Sequence, residues 1–141
     1  MNIGKLITRA EYAHLLLAAG LKLENINFSS AEYWCPTRDW LVDFGQWIKW
    51  DRPKYTPDSF VCFHFARMAA AEADRSSLRA GNIVHHSFGE ALGVFNNSSH
   101  ELNLCLCDDG IIYTFDPQCA EDPSTIVSVD KSDFHPTKFR V

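Results

Sequence analysis

Between Thr8 and Ala19 the apolar positions Tyr12, Leu15, Leu16 and Ala19 recur at the three-and-four spacing that gathers side chains on one face of a helix. Thr8 stands at the N-cap position, Glu11 three residues later completes a capping-box pattern, and Gly20 closes the segment. CPTRDWLVDFGQWIKW repeats the pattern. Pro36 stands at the predicted start with Thr37 and Asp39 close by, and Trp40, Leu41, Phe44, Trp47 and Ile48 fall on one side, so a second helix is expected to end near Trp50. The two prolines of DRPKYTPDS make residues 51–59 a connection. Asp58 or Ser59 then caps a third predicted helix running through Phe60, Phe65, Ala66, Met68 and Ala69 to about Ala73.

From about Gly89 the period changes. ALGVFNN reads as a strand ending in a turn at Asn96-Asn97. HELNLCLC alternates, and GIIYTFD follows across Asp108-Asp109-Gly110, a hairpin signal because glycine tolerates the positive φ of tight turns. TIVSV is a last short strand before a polar tail. Helices followed by an antiparallel meander predict an α+β fold. No repeat, low-complexity tract or linker divides the chain, so residues 1–141 are expected to form a single domain.

A chain of 141 residues can bury one respectable core, and 46% apolar with 13% aromatic residues excludes a disordered one. The net charge of -5, with Lys and Arg scattered, leaves no footprint for a phosphate backbone, so nucleic acid is excluded as a partner. Apolar runs such as Tyr12 to Leu21 are broken by His14 or too short for a bilayer, and MNIGKLITRAEY lacks a hydrophobic core for export; the expectation is a cytoplasmic protein without a membrane partner. Cysteines at 35, 62, 105, 107 and 119 lack the dense, even spacing of a disulfide framework and are expected to be mostly reduced.

Cys62 falls in the first turn of the third predicted helix, where unpaired N–H groups and the helix dipole would stabilise a thiolate and polarise an oxyanion. The same residue between Val61 and Phe63 also reads as a small buried hydrophobe. His100 opens a strand whose Leu102, Leu104 and Leu106 share its face. If the helical layer covers that face, His100 lies on the side of the third helix, an arrangement suited to Cys/His acyl transfer; otherwise it is a surface histidine at a strand end. Asp116 and Gln118 on the next strand could orient it. A three-residue loop placing Cys107 opposite Ile111 sets them on the His100 face, whereas a two-residue Asp109-Gly110 loop flips them, and the apolar pattern favours the flipped register because it groups Tyr113 and Phe115 with the leucines. His64 points away from the thiol, and Asn103 lies on the strand face opposite His100. Trp34, Trp47, Trp50 and Tyr55 either wall a substrate cleft or belong to the core. A metal site from Cys105, Cys107, Cys119 and His85-His86 lacks recognisable ligand spacing, so neither metal nor cofactor is expected; His85-His86 reads as a solvated loop.

The segments YWCPTRDW, YTPDSFVCFHFARMA, HELNL and FDPQ, in this order from about Tyr33 to Gln118, resemble the papain-like cysteine-protease domain found at the C-terminus of a fungal galactose-binding agglutinin and in short stand-alone bacterial and phage proteins. The resemblance implies a papain-like fold, with N-terminal helices and the cysteine on a central helix packed on an antiparallel sheet. It implies Cys62 as nucleophile, His100 as general base and Asp116 as the carboxylate orienting the imidazole, with Gln118 nearby. Where such domains often read Asp-Cys-Asp-Asp-Phe-Ala, this chain has Val61-Cys62-Phe63-His64-Phe65-Ala66, without the acidic flanks associated with divalent-cation dependence, and the sugar-binding trefoil is absent. The expected function is a cysteine hydrolase, a peptidase or amidase working through a thioester on a protein or peptide substrate, with Trp34, Trp50 and Tyr55 contacting it. The second reading is a catalytically decayed papain-like fold serving as a protein-binding module. Oligomeric state is left open.

Overall fold

Thr8 ends one strand and caps the first helix. In the computed structural model, which describes residues 4–51, 61–79, 81 and 84–141, β1 (Gly4–Thr8) runs into α1 (Arg9–Ala18), and the predicted capping box is present: Thr8 Oγ1 accepts from the Glu11 N–H at 3.2 Å, and Glu11 Oε2 accepts from the Thr8 N–H. β2 (Ile26–Asn27) and β3 (Glu32–Pro36) follow. α2 (Arg38–Asp51) begins after Pro36, with Thr37 Oγ1 accepting from the Trp40 N–H at 3.0 Å. α3 (Cys62–Arg79) comes next; the expected caps Asp58 and Ser59 lie outside the described residues. Then come β4 (His85–His86), β5 (Phe88–Phe95), β6 (Ser98–Leu106), β7 (Ile112–Phe115) and β8 (Phe134–Arg140).

The described strands form two sheets, one ordered β1-β3-β4 and the other β2-β8-β5-β6-β7. The expected papain-like α+β layout, helices first and strands only from about Gly89, is corrected to this β-rich arrangement with three α-helices among the described residues. GKLIT and EYWCP are strands because each alternates a buried position with an open one: Ile7 is buried beside exposed Leu6, and Tyr33 and Cys35 are buried around half-buried Trp34. Pro36 therefore ends a strand rather than opening a helix. Tyr113 pairs with Ser128 in an isolated bridge, but TIVSV does not extend into a strand, and Phe134–Arg140 supplies the last one.

β6 is buried on both faces. Leu102, Leu104 and Leu106 share a core with Tyr12 and Leu16 of α1 and with Phe134 and Phe139 of β8. Cys105 and Cys107 point the other way, into a core with Phe88 and Phe115, Leu41, Phe44 and Ile48 of α2, and Ala69 and Ala73 of α3. α1 thus packs against one face of the large sheet, and α2 and α3 against the other. On the α2 side, Phe44 meets Phe88 edge-on at 5.4 Å and Phe115 at 5.5 Å between ring centroids.

Asn103, fully buried, fastens α3 to the sheet: its Nδ2 donates to Ala66 O at 2.8 Å and to Gly89 O at 3.0 Å. Asn103→Ala leaves both carbonyls without this donor and should cost about 2–3 kcal/mol, read as a lower urea midpoint and faster amide exchange along α3. A loss below about 0.5 kcal/mol would mean that this amide is not what fastens the helix. No helix among the described residues is long and apolar enough to cross a membrane.

Candidate ligand site at the His100–Asp116 pair

The pairing of β6 with β7 settles the register left open by the sequence. Asn103 faces Phe115, Leu104 faces Thr114, and the Cys107 N–H donates to Ile111 O at 3.0 Å, the pairing that goes with the three-residue loop. Gly110 takes up the positive φ of that loop, 81°. Tyr113 and Phe115 therefore belong to the Cys105 face, and Thr114 and Asp116 share the face of His100 and Leu102. The alternative with Tyr113 and Phe115 among the leucines is corrected.

Asp116, just past the end of β7, meets His100 with Oδ2 2.8 Å from Nε2, each side chain 22% exposed. An ionised carboxylate only accepts, so Nε2 carries the proton and Nδ1 is left as the acceptor of the neutral ring. The other Asp116 oxygen accepts from the Gln118 backbone N–H at 3.0 Å, which fixes the carboxylate plane. Phe95, at the tip of the β5–β6 hairpin, lies 6.0 Å from the His100 ring. The pair borders a cavity of about 270 Å³ whose walls include Phe95, Thr114, Ser124, Lys131, Ser132 and Asp133.

Cys62 is not drawn into this arrangement. It opens α3, half-buried and reduced, and α3 lies against the face of β6 that carries Asn103, as the Asn103–Ala66 bond records. His100 belongs by alternation to the other face. Among the described residues the two make no hydrogen bond, and the condition placed on the Cys/His pair, a helical layer over the leucine face carrying the third helix, is not met: that face is covered by α1.

The remaining candidates scatter. Gln118 contributes its backbone, its side chain half-buried in the turn after β7. Trp34 sits on β3 beside Gly4. Tyr55 and the side chain of Trp50 lie outside the described residues, and Trp47 is exposed on α2. His64 Nδ1 accepts from the Val61 N–H at 3.0 Å. His85-His86 is an edge strand rather than a solvated loop: His86 is 2% exposed, and half-buried His85 has its Nδ1 3.1 Å from Asp74 Oδ1. Among the described residues no group of three or more His, Cys, Asp or Glu could hold a metal ion. The sequence reading missed Thr114, which parity with Asp116 could have found once the register was known, and Ser132 and Asp133, which arrive on the loop before β8 and carry no local signal.

No family model and no curated protein matches the chain. Among solved structures it is similar to one described as a PSL1a–E64 complex, with TM-score 0.77, 18% identity, and coverage of 96% of this chain and 50% of that one. It is also similar to a Polyporus squamosus lectin bound to the human-type influenza-binding epitope Neu5Aca2-6Galb1-4GlcNAc, with TM-score 0.76, 17% identity, and coverage of 96% and 49%. The chain shares its fold with about half of that lectin chain.

The likeness to a fungal agglutinin drawn from the sequence is upheld as a fold; a papain-like protease domain is not shown. The expectation of a thiol-dependent hydrolase is corrected: the solved structures that share this fold include a lectin, and α3, which Cys62 opens, is bonded to the Asn103 face of β6, whereas His100 belongs by alternation to the face covered by α1. A protein or peptide substrate is likewise not shown.

Proposed function

We propose that this chain is a binding module without catalytic activity, and that its ligand, a short glycan, enters the cavity beside the His100–Asp116 pair. The observation that carries the reading is a histidine and a carboxylate fixed in one geometry at the edge of a hydroxyl-lined cavity. The Thr114 hydroxyl donates to Val127 O and that of Ser124 to Asp122 Oδ1, so each offers a ligand acceptor lone pairs, as does His100 Nδ1. Those acceptors complement the hydroxyl donors of a sugar, Lys131 adds a donor, and Phe95 can pack on the apolar face of a pyranose ring. The Polyporus squamosus lectin was solved with a sialylated trisaccharide, but this chain covers 49% of that lectin and lacks a sugar-binding trefoil, so the glycan serves as a probe of the ligand class and the reading rests on the cavity itself.

The test is a titration of ¹⁵N-labelled protein with Neu5Aca2-6Galb1-4GlcNAc and with its component sugars. Shift changes should cluster at Phe95, His100, residues 114–119 and residues 124–133. Asp116→Asn, which removes a charged acceptor, should weaken binding roughly tenfold or more. Silence at about 10 mM sugar, corresponding to a binding free energy weaker than about 3 kcal/mol, or changes confined to another surface, would overturn the reading.

A further inference from the structure

α2 carries Trp40, Phe44 and Trp47 along one side at helical spacing. Their rings lie in a near-parallel row: Trp40 and Phe44 are 4.9 Å apart at 11°, Phe44 and Trp47 5.8 Å apart at 22°. Phe44 is the buried member of the row, and Trp47 is 45% exposed. Between this row and α3 lies a second cavity, about 280 Å³, lined by the three rings together with Asp43, Glu72 and Ser76. Two carboxylates thus border an aromatic wall. Glu72 Oε1 accepts from Arg75 Nη1 at 3.2 Å, but the Arg75 side chain is 58% exposed against 19% for Glu72, which leaves the second Glu72 oxygen and the exposed Asp43 unmatched by that pair.

We propose that this groove binds an organic cation through a tetraalkylammonium head group. The π faces of indole attract a positive charge, most strongly for tryptophan, and the two carboxylates add a through-space field of the same sense. A neutral apolar ligand gains nothing from the carboxylates and dehydrates them; an anion is repelled. A primary ammonium would need three acceptors at hydrogen-bond distance, which an aromatic wall does not supply. A quaternary ammonium has no N–H to satisfy and is weakly hydrated, so aromatic contact and charge suffice. The volume accommodates such a head group with a short tether. The arginines found over rings elsewhere, Arg9 at Phe28, Arg38 at Tyr113 and Arg67 at Phe63, show the same chemistry satisfied from within the chain. The site lies on the α2–α3 side of the large sheet and does not depend on the His100 cavity.

The experiment follows the indole N–H resonances of the intact protein during titration with choline and, separately, with its neutral isostere 3,3-dimethyl-1-butanol. Choline should shift the Trp40 and Trp47 signals saturably, with a Kd on the order of millimolar, and leave His100 undisturbed. The isostere should bind at least about tenfold more weakly, and Glu72→Gln and Trp47→Ala should each weaken choline roughly three- to tenfold. Equal affinity for choline and the neutral isostere would overturn the proposal, since an apolar slot makes no such distinction. So would indole signals that stay still at about 50 mM choline, a concentration at which even a millimolar site is nearly full.

Discussion

Gly45→Val is expected to unfold a large share of the protein at room temperature, and Gly45→Ala to lower its stability by about 3 kcal/mol. On an isolated helix the alanine change would go the other way, stabilising by about 1 kcal/mol. The sign reverses because α2 lies directly on the turn that follows β7: a Cβ at position 45 would come 2.3 Å from Ala120 O and 3.0 Å from its carbonyl carbon. Backbone cannot step aside as a flexible side chain can. Gln46 strengthens the same contact by donating its side-chain amide to Glu121 O. Denaturant unfolding followed by tryptophan fluorescence measures the effect. A Gly45→Ala protein as stable as wild type would mean that α2 does not approach the turn this closely. The contact also sits beside the ligand cavity, since the turn after β7 begins at Asp116. A variant that survives folding should lose glycan binding along with stability.

The second large effect concerns acid. His86 is buried between Trp40, 4.7 Å away in ring centroids, and Phe88, and burial first, then the neighbouring His85, pushes its pKa down to about 3 from an ordinary 6.5. Its Nδ1 accepts from the Phe88 N–H at 3.2 Å, so the neutral ring is the form the fold holds. Below pH 6.5 the unfolded chain takes up a proton that the folded one refuses. Stability therefore falls as pH drops from about 6.5 towards 3, by about 4–5 kcal/mol at the acid end from this group alone. Asp74 and Glu101 act in the opposite sense: burial raises both carboxyl pKa values, so the fold gains protons ahead of the unfolded chain just above the normal carboxylate range. His86→Gln, which can still accept a hydrogen bond, should flatten the upper part of the pH profile. An unchanged slope between pH 6.5 and 5 in the variant would show that His86 is not the acid-labile group.

The local features were legible in the sequence, and the reason is that each is decided within a few residues. Thr8 and Glu11 satisfy one another across a single turn, and Asn96 and Asn97 adopt φ of 49° and 64° because a two-residue hairpin demands it of whatever stands there. What could not be read was which side of a strand faces which layer. On a sheet open to water on one face, alternation reports the buried side. β6 is covered by α1 on one face and by α2 and α3 on the other, so apolar residues on both parities are at home, and Tyr113 and Phe115 could be assigned to either. The same ambiguity placed α3 over the leucines and drew Cys62 towards His100. His85-His86 misled for another reason: its partner Tyr33-Trp34 lies far away in sequence, and a two-residue strand has no period of its own. Of the candidate site, the sequence offered His100 and Asp116 as possible neighbours, and the structure brings them within 2.8 Å of one another, while the walls of their cavity come from loops placed by contacts across the fold.

β8 lies inside the large sheet, between β2 and β5, and the Val141 carbonyl just beyond it accepts from Ser29, 112 positions earlier. For a chain leaving the ribosome in order, β5, β6 and β7 can pair as they emerge, whereas β2 must wait for nearly everything after it to be translated. Until then the β5 edge, with Leu92 and Val94 exposed even in the finished protein, is open to any strand that reaches it. Nascent protein stalled before β8 is accordingly expected to clump more readily than the finished fold, and slower synthesis of β8 would lengthen that exposure.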